Sequence, residues 1–125
     1  MTYAIQIGAE FYATHQLRLA DGSLETLHGH TWHVEVSIIS EQLDAIQTVM
    51  DFHQLQSLLK PIIDPWQNKC LNDFAPFKGD WSPSAERVAQ HIAELLAPQI
   101  PASARLSQVR IEEASGCYAI FSLDR

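Results

Sequence analysis

From Ile5 to His15, every second residue is apolar: Ile5, Ile7, Ala9, Phe11 and Ala13 alternate with Gln6, Glu10, Tyr12 and Thr14. A period of two predicts a half-buried strand, and His15 ends its apolar face. After a polar connection containing Asp21-Gly22, the pattern resumes from about Thr26 to Ile39. His28, His30, Trp32, Val34, Val36 and Ile38 share one face there, and Thr31, His33, Glu35 and Ser37 the other. The two segments predict a long antiparallel hairpin.

The period then changes to that of a helix. Asp51 and Gln54 have the spacing of a capping box, and Phe52, Leu55, Leu58, Leu59 and Ile62 follow at helical intervals. A second helix is predicted from an N-cap at Ser82 or Ser84, with Val88, Ile92, Leu95 and Leu96 on one face until Pro98. The stretch from Leu106 to about Leu123 reads as two strands around a Ser115-Gly116 turn. The order is β-β-α-α-β-β, an α+β domain with a mainly antiparallel sheet and helices on one face.

Length and charge narrow the partners. A chain of 125 residues, 46% hydrophobic and 18% charged, has the size and composition of one folded domain spanning 1–125. Eight Lys+Arg against 15 Asp+Glu give a net charge of −7, with no basic field to hold a phosphate backbone, so no nucleic-acid partner is expected. Cys70 and Cys117 are too few and too far apart for a disulfide scaffold or a metal knuckle, and read as thiols in a reducing compartment. The N-terminal residues resemble neither a leader nor a membrane span. The expectation is a cytoplasmic protein with no membrane partner.

The candidate chemistry lies in the histidines. In LHGH, His28 and His30 flank Gly29, and on a strand such a pair points two imidazoles the same way. His15, on the inward face of the neighbouring strand, supplies a third, and Gly29 leaves room for another group to approach the backbone. Three neutral His ligands with one open position describe a catalytic zinc site, which acidifies a bound water or hydroxyl. His33, His53 and His91 are read as solvated or packed.

FYATH, LHGH, VMDFHQLQSLLKP and VRIEEASGC together resemble the 6-pyruvoyl-tetrahydropterin synthase family, which includes the 6-carboxy-tetrahydropterin synthases of queuosine biosynthesis. The resemblance runs from Phe11 to about Cys117. It implies a T-fold with a four-stranded antiparallel sheet and two helices, trimers closing a barrel, and a homohexamer of two trimers. It also implies that His15, His28 and His30 hold zinc, and zinc the hydroxyls of a small-molecule dihydropterin substrate. A Glu near the last hairpin would anchor the pterin ring, since a carboxylate accepts two parallel N–H bonds from a 2-aminopyrimidinone edge. Ungapped alignment gives Glu113, which shares face parity with Val109 and Ile111, with Glu112 as the fallback.

Two departures bear on the chemistry. Most members of that family carry a Cys shortly before HGH, whereas Asp21 to Leu27 contains none. The sequence ETLHGH instead resembles the type III branch, which has Glu there, making Glu25 the candidate base. That branch is linked to cleavage of dihydroneopterin compounds to 6-hydroxymethyl-dihydropterin. A carboxylate has a much lower unperturbed pKa than a thiol, so burial would have to raise that of Glu25. The family's Asp-His relay pair falls on Gln67 and Asn68, neither of which titrates.

The expected function is therefore a zinc-dependent lyase of type III kind acting on 7,8-dihydroneopterin or its triphosphate. The alternatives are a 6-carboxy-tetrahydropterin synthase and a non-catalytic paralogue that binds zinc and a pterin.

Overall fold

The protein is described by a computed structural model covering residues 1–123. Its elements are β1 (Tyr3–His15), β2 (His28–Ser40), α1 (Phe52–Ile63), β3 (Lys69–Cys70), α2 (Ala85–Leu96), β4 (Arg105–Ala114) and β5 (Cys117–Ser122), with single 3-10 turns at Asp64–Trp66, Leu71–Asp73 and Ala97–Gln99. The sheet order is β3-β1-β2-β4-β5. The α+β class and T-fold architecture therefore hold, with one correction: the sheet has five strands rather than four. The additional strand, β3, runs parallel to β1 through Ala13↔Lys69 and Thr14↔Cys70.

The predicted alternation is realised face by face. In β1 and β2 the residues Ile7, Phe11, Ala13, Trp32, Val34, Val36 and Ile38 are buried, and β4 adds Leu106, Val109 and Ile111. The helices cover this face with Leu55, Leu59, Ile63, Val88, Ala89, Ile92, Ala93 and Leu96. Leu95, expected on the inward face, is exposed; Ala89 and Ala93 complete the buried face instead.

Helix starts follow local capping. The Asp51 carboxylate accepts from the His53 N–H at 3.0 Å, and Ser84 Oγ from the Arg87 N–H at 3.1 Å. Ser82, the other candidate cap, accepts from the Arg18 N–H instead. That bond ties the start of the β1–β2 connection to the segment before α2. Pro61 is tolerated inside α1, and the helical acceptor it leaves without a donor is on exposed Ser57.

Candidate metal centre

The hairpin register brings the three histidines together. His15 and His28 are direct cross-strand partners and His30 pairs with Ala13, so all three imidazoles stand on the helix-covered face at one end of the sheet. Their ring centroids are 4.6 to 5.1 Å apart. One ligand nitrogen from each lies within 4.8 Å of the others. The Trp32 ring meets those of His15 and His30 edge-on at 4.8 and 5.7 Å, forming the floor. The indole N–H donates to the Ala13 carbonyl, so the floor is locked to β1.

Two backbone carbonyls set the ring tautomers. His15 Nδ1 donates to the Pro83 carbonyl at 2.8 Å, and His28 Nδ1 to that of Thr26 at 2.7 Å. Because a carbonyl only accepts, each neutral ring carries its proton on Nδ1 and presents the Nε2 lone pair to the cluster. Burial pushes the His15 imidazole below its ordinary pKa, opposed in part by the Pro83 carbonyl and Glu113. The ring is thus held neutral, the form that binds a metal. Nε2 of His15 and of His30 are buried with no hydrogen-bond partner. An orphaned buried acceptor such as His15 Nε2 costs about 1–3 kcal/mol, and a divalent cation accepting its lone pair would remove that cost. The donor set fits zinc.

Both candidate carboxylates face this cluster. Glu113 Oε1 is 3.6 Å from His15 Nε2, and its Oε2 is 3.9 Å from His30 Nε2. Glu112 points the other way, its carboxylate accepting from the Gly116 N–H at 3.0 Å to close the last hairpin. Glu25 arrives on the β1–β2 connection, a small excursion pinned by an Arg18↔Leu24 bridge and turned at Gly22 (φ 88°). Its Oε1 accepts from the Leu17 N–H at 3.0 Å and lies 3.9 Å from His28 Nε2.

Gln67 and Asn68 are not brought to the histidines of this chain by any bond; they are used on β1. Gln67 Oε1 accepts from the Tyr12 N–H at 2.9 Å, and the Asn68 N–H donates to the Tyr12 carbonyl at 2.7 Å. The Tyr12 ring in turn lies over Gly29, where a Cβ would come within 2.7 Å of Cζ. This is the close approach that Gly29 permits, on the face opposite the imidazoles.

The other histidines lie outside the cluster. His33 pairs with Glu10, His53 is exposed beside Asp51, and His91 packs among Trp66, Phe77 and Trp81. Cys70 and Cys117 are unpaired thiols. The roles of Pro83 and Trp32 at the site were not anticipated. Trp32 carried a usable signal, lying two residues beyond His30 on the same strand face, whereas Pro83 acts through its backbone carbonyl and carried none.

A cleft of about 510 Å³ lined by Gly8, Glu10, His33, Glu35, Arg110 and Glu112 lies on the opposite face of the sheet and contains none of these ligands. Among the described residues no helix is long and apolar enough to cross a membrane.

The family model for 6-pyruvoyl tetrahydropterin synthase matches residues 4–124. A dihydroneopterin monophosphate aldolase from Pyrococcus furiosus is 26% identical over 107 residues, 86% of each chain. The 6-pyruvoyl tetrahydropterin synthase of Caenorhabditis elegans superposes with a TM-score of 0.81 at 19% identity, covering 99% of this chain and 97% of that one. A 6-pyruvoyltetrahydropterin synthase from Plasmodium vivax, solved as a variant with a catalytic glutamate replaced by alanine, gives 0.78 at 14% identity, covering 100% and 99%. With a strand order, histidine cluster and family match that agree along nearly the whole chain, the protein belongs to the 6-pyruvoyl tetrahydropterin synthase family.

Proposed function

We propose that the protein is a zinc-dependent lyase that cleaves the side chain of a dihydroneopterin, with Glu25 as the base. The observation that carries this reading is the Glu25 carboxylate beside His28, 3.9 Å from its Nε2, at the position where a family thiol is missing. The Pyrococcus relative, named as an aldolase on a dihydroneopterin, and the Plasmodium enzyme, with its catalytic glutamate, support it.

His15, His28 and His30 are the residues that would hold zinc, which when bound polarises the side-chain hydroxyls. Glu113 accepts two N–H bonds from the aminopyrimidinone edge of the ring, fixing the side chain over the histidines. Glu25 takes the proton of the second side-chain hydroxyl, whose oxygen becomes a carbonyl as the bond between the first and second side-chain carbons breaks. The electron pair passes into the dihydropterin ring and the first carbon takes up a proton, giving a hydroxymethyl-dihydropterin and a short hydroxyaldehyde.

The low count of basic residues favours a substrate with little phosphate, the free or monophosphorylated form. The single domain fits a cytoplasmic homohexamer of two trimers. Assembly would use the two open sheet edges, β1 before Tyr12 and the outer side of β5, where Tyr3, Tyr118 and Ile120 are exposed.

A second reading, a pterin-binding paralogue without turnover, is favoured by one observation: Gln67 and Asn68 cannot relay protons and are engaged on Tyr12. Incubation of zinc-loaded protein with 7,8-dihydroneopterin and its mono- and triphosphates, followed by chromatography, separates the two. Hydroxymethyl-dihydropterin supports the lyase, pterin binding with no product supports the paralogue, and a 6-carboxy product with acetaldehyde marks the queuosine-pathway activity.

A further inference from the structure

Backbone pairing between β3 and β1 ends at Cys70, but the edge of β1 remains occupied. The Asn72 side chain takes over: Oδ1 accepts from the Gln16 N–H at 3.0 Å, and Nδ2 donates to the Gln16 carbonyl at 2.9 Å. A primary carboxamide carries donor and acceptor side by side, so one side chain satisfies both main-chain groups of the residue after His15. Asn72 is itself well fixed. Leu71, its neighbour in the 3-10 turn, is fully buried, and the Phe74 N–H closes the turn on the Leu71 carbonyl.

From Gln16 and Leu17 three bonds run to Glu25. Gln16 Nε2 donates to the Glu25 carbonyl at 3.2 Å, the Glu25 N–H to the Leu17 carbonyl at 3.0 Å, and the Leu17 N–H to the Glu25 carboxylate at 3.0 Å. The last of these aims the carboxylate itself. Farther along, the excursion is held to the segment before α2 by Arg18, through its N–H to Ser82 Oγ and its guanidinium to the Gly79 carbonyl. Beside the site itself, the tether to the core is Asn72.

We propose that Asn72 is a positioning residue that holds Glu25 against the histidine cluster by bracketing Gln16, an inference that rests on the reading of Glu25 as the base. Asn72→Leu keeps the shape and removes both bonds to Gln16, along with the Cys70 thiol's contact to Oδ1 at 3.7 Å. Asn72→Asp keeps an acceptor for the Gln16 N–H and loses the donor.

The test combines peptide-resolved hydrogen exchange of the zinc-loaded protein with dihydroneopterin turnover in wild type, Asn72→Leu, Asn72→Asp, Glu25→Gln and the Asn72→Leu/Glu25→Gln double variant. In Asn72→Leu the amides of Leu17 and Glu25 are expected to exchange at least about tenfold faster, while those of Val34 and Val36 in β2 keep their protection. Turnover is expected to fall about 10- to 100-fold in kcat, with KM within about twofold. Asn72→Asp should lie between wild type and Asn72→Leu. Because Asn72 acts through Glu25, the double variant should be no slower than Glu25→Gln alone.

A general packing role would loosen β2 as well and slow the Glu25→Gln background by the same factor, overturning the proposal. Unchanged exchange at Leu17, or faster exchange with undiminished kcat, would overturn it too. A wild type that turns over nothing defeats the lyase reading, and exchange at Leu17 and Glu25 still decides whether Asn72 holds the carboxylate.

Discussion

Glu113 Oε1 stands 3.6 Å from Nε2 of His15, although the two residues come from strands that β2 separates. The contact is possible because Glu113 shares the inward parity of Val109 and Ile111 at the end of β4, where the register with β5 shifts between Glu112 and Ala114. Glu112, one residue earlier, closes the hairpin on the other side. Glu113→Gln is predicted to raise the Kd for dihydroneopterin about 10- to 100-fold, the worth of a charge-assisted hydrogen bond. Glu112→Gln should leave it nearly unchanged. Pterin fluorescence titration measures both, and equal affinities in wild type and Glu113→Gln would remove Glu113 as the ring anchor.

The unpartnered Nε2 atoms of His15 and His30 imply that the metal-free cluster is a weak point. His30→Leu removes one buried unpartnered nitrogen and one candidate ligand together. Its metal-free Tm is predicted to equal or exceed that of the wild type, while the rise on adding zinc disappears. A zinc-induced rise of the same size in both proteins would contradict the ligand assignment.

Tyr12 and Gly29 form a coupled pair across β1 and β2. Gly29→Ala drives a methyl group into the Tyr12 ring, which is partly exposed and can be displaced. The expected loss of stability is about 1–2 kcal/mol, within the range for overpacking. The same substitution in a Tyr12→Ala background should cost about 0.5 kcal/mol or less. Urea unfolding of the four proteins gives the coupling, and additive effects would show that the ring is not what excludes a side chain at this position.

Acid should destabilise the fold through His91. Burial among Trp66, Phe77 and Trp81 holds this imidazole below its ordinary 6.5, with Glu94 pulling it partly back. Below about 6.5 the unfolded chain therefore binds more protons than the folded one. Stability that is complete above that pH is lost as pH falls through the folded value. His15 moves in the same direction, so the comparison is with His91→Gln. Its urea midpoint should fall less than that of the wild type between about pH 7.5 and about pH 5.5; equal falls would exclude His91 as a source of the loss.

Much of this was legible in the sequence because it depends on period and parity. Alternation in β1 and β2 placed His15, His28 and His30 on one face, and the family resemblance gave Glu113, with the parity of Val109 and Ile111 in agreement. What escaped depends on short or unpatterned segments. Lys69–Cys70 is too brief to show any period, so β3 was missed, and with it the reason for Asn72 to face Gln16. Leu95 was misplaced because the inward face of α2 is carried partly by Ala89 and Ala93, whose small side chains give little signal beside a leucine. The Pro83 carbonyl that orients His15 is a backbone group, which no residue type reveals.

The most direct test of the account is product analysis of zinc-loaded wild type and Glu25→Gln incubated with 7,8-dihydroneopterin. With Glu25 as the base, the wild type yields a hydroxymethyl-dihydropterin and the variant at least about 100-fold less of it, with pterin binding retained in both. Undiminished product from Glu25→Gln, or pterin binding with no product from the wild type, would contradict it.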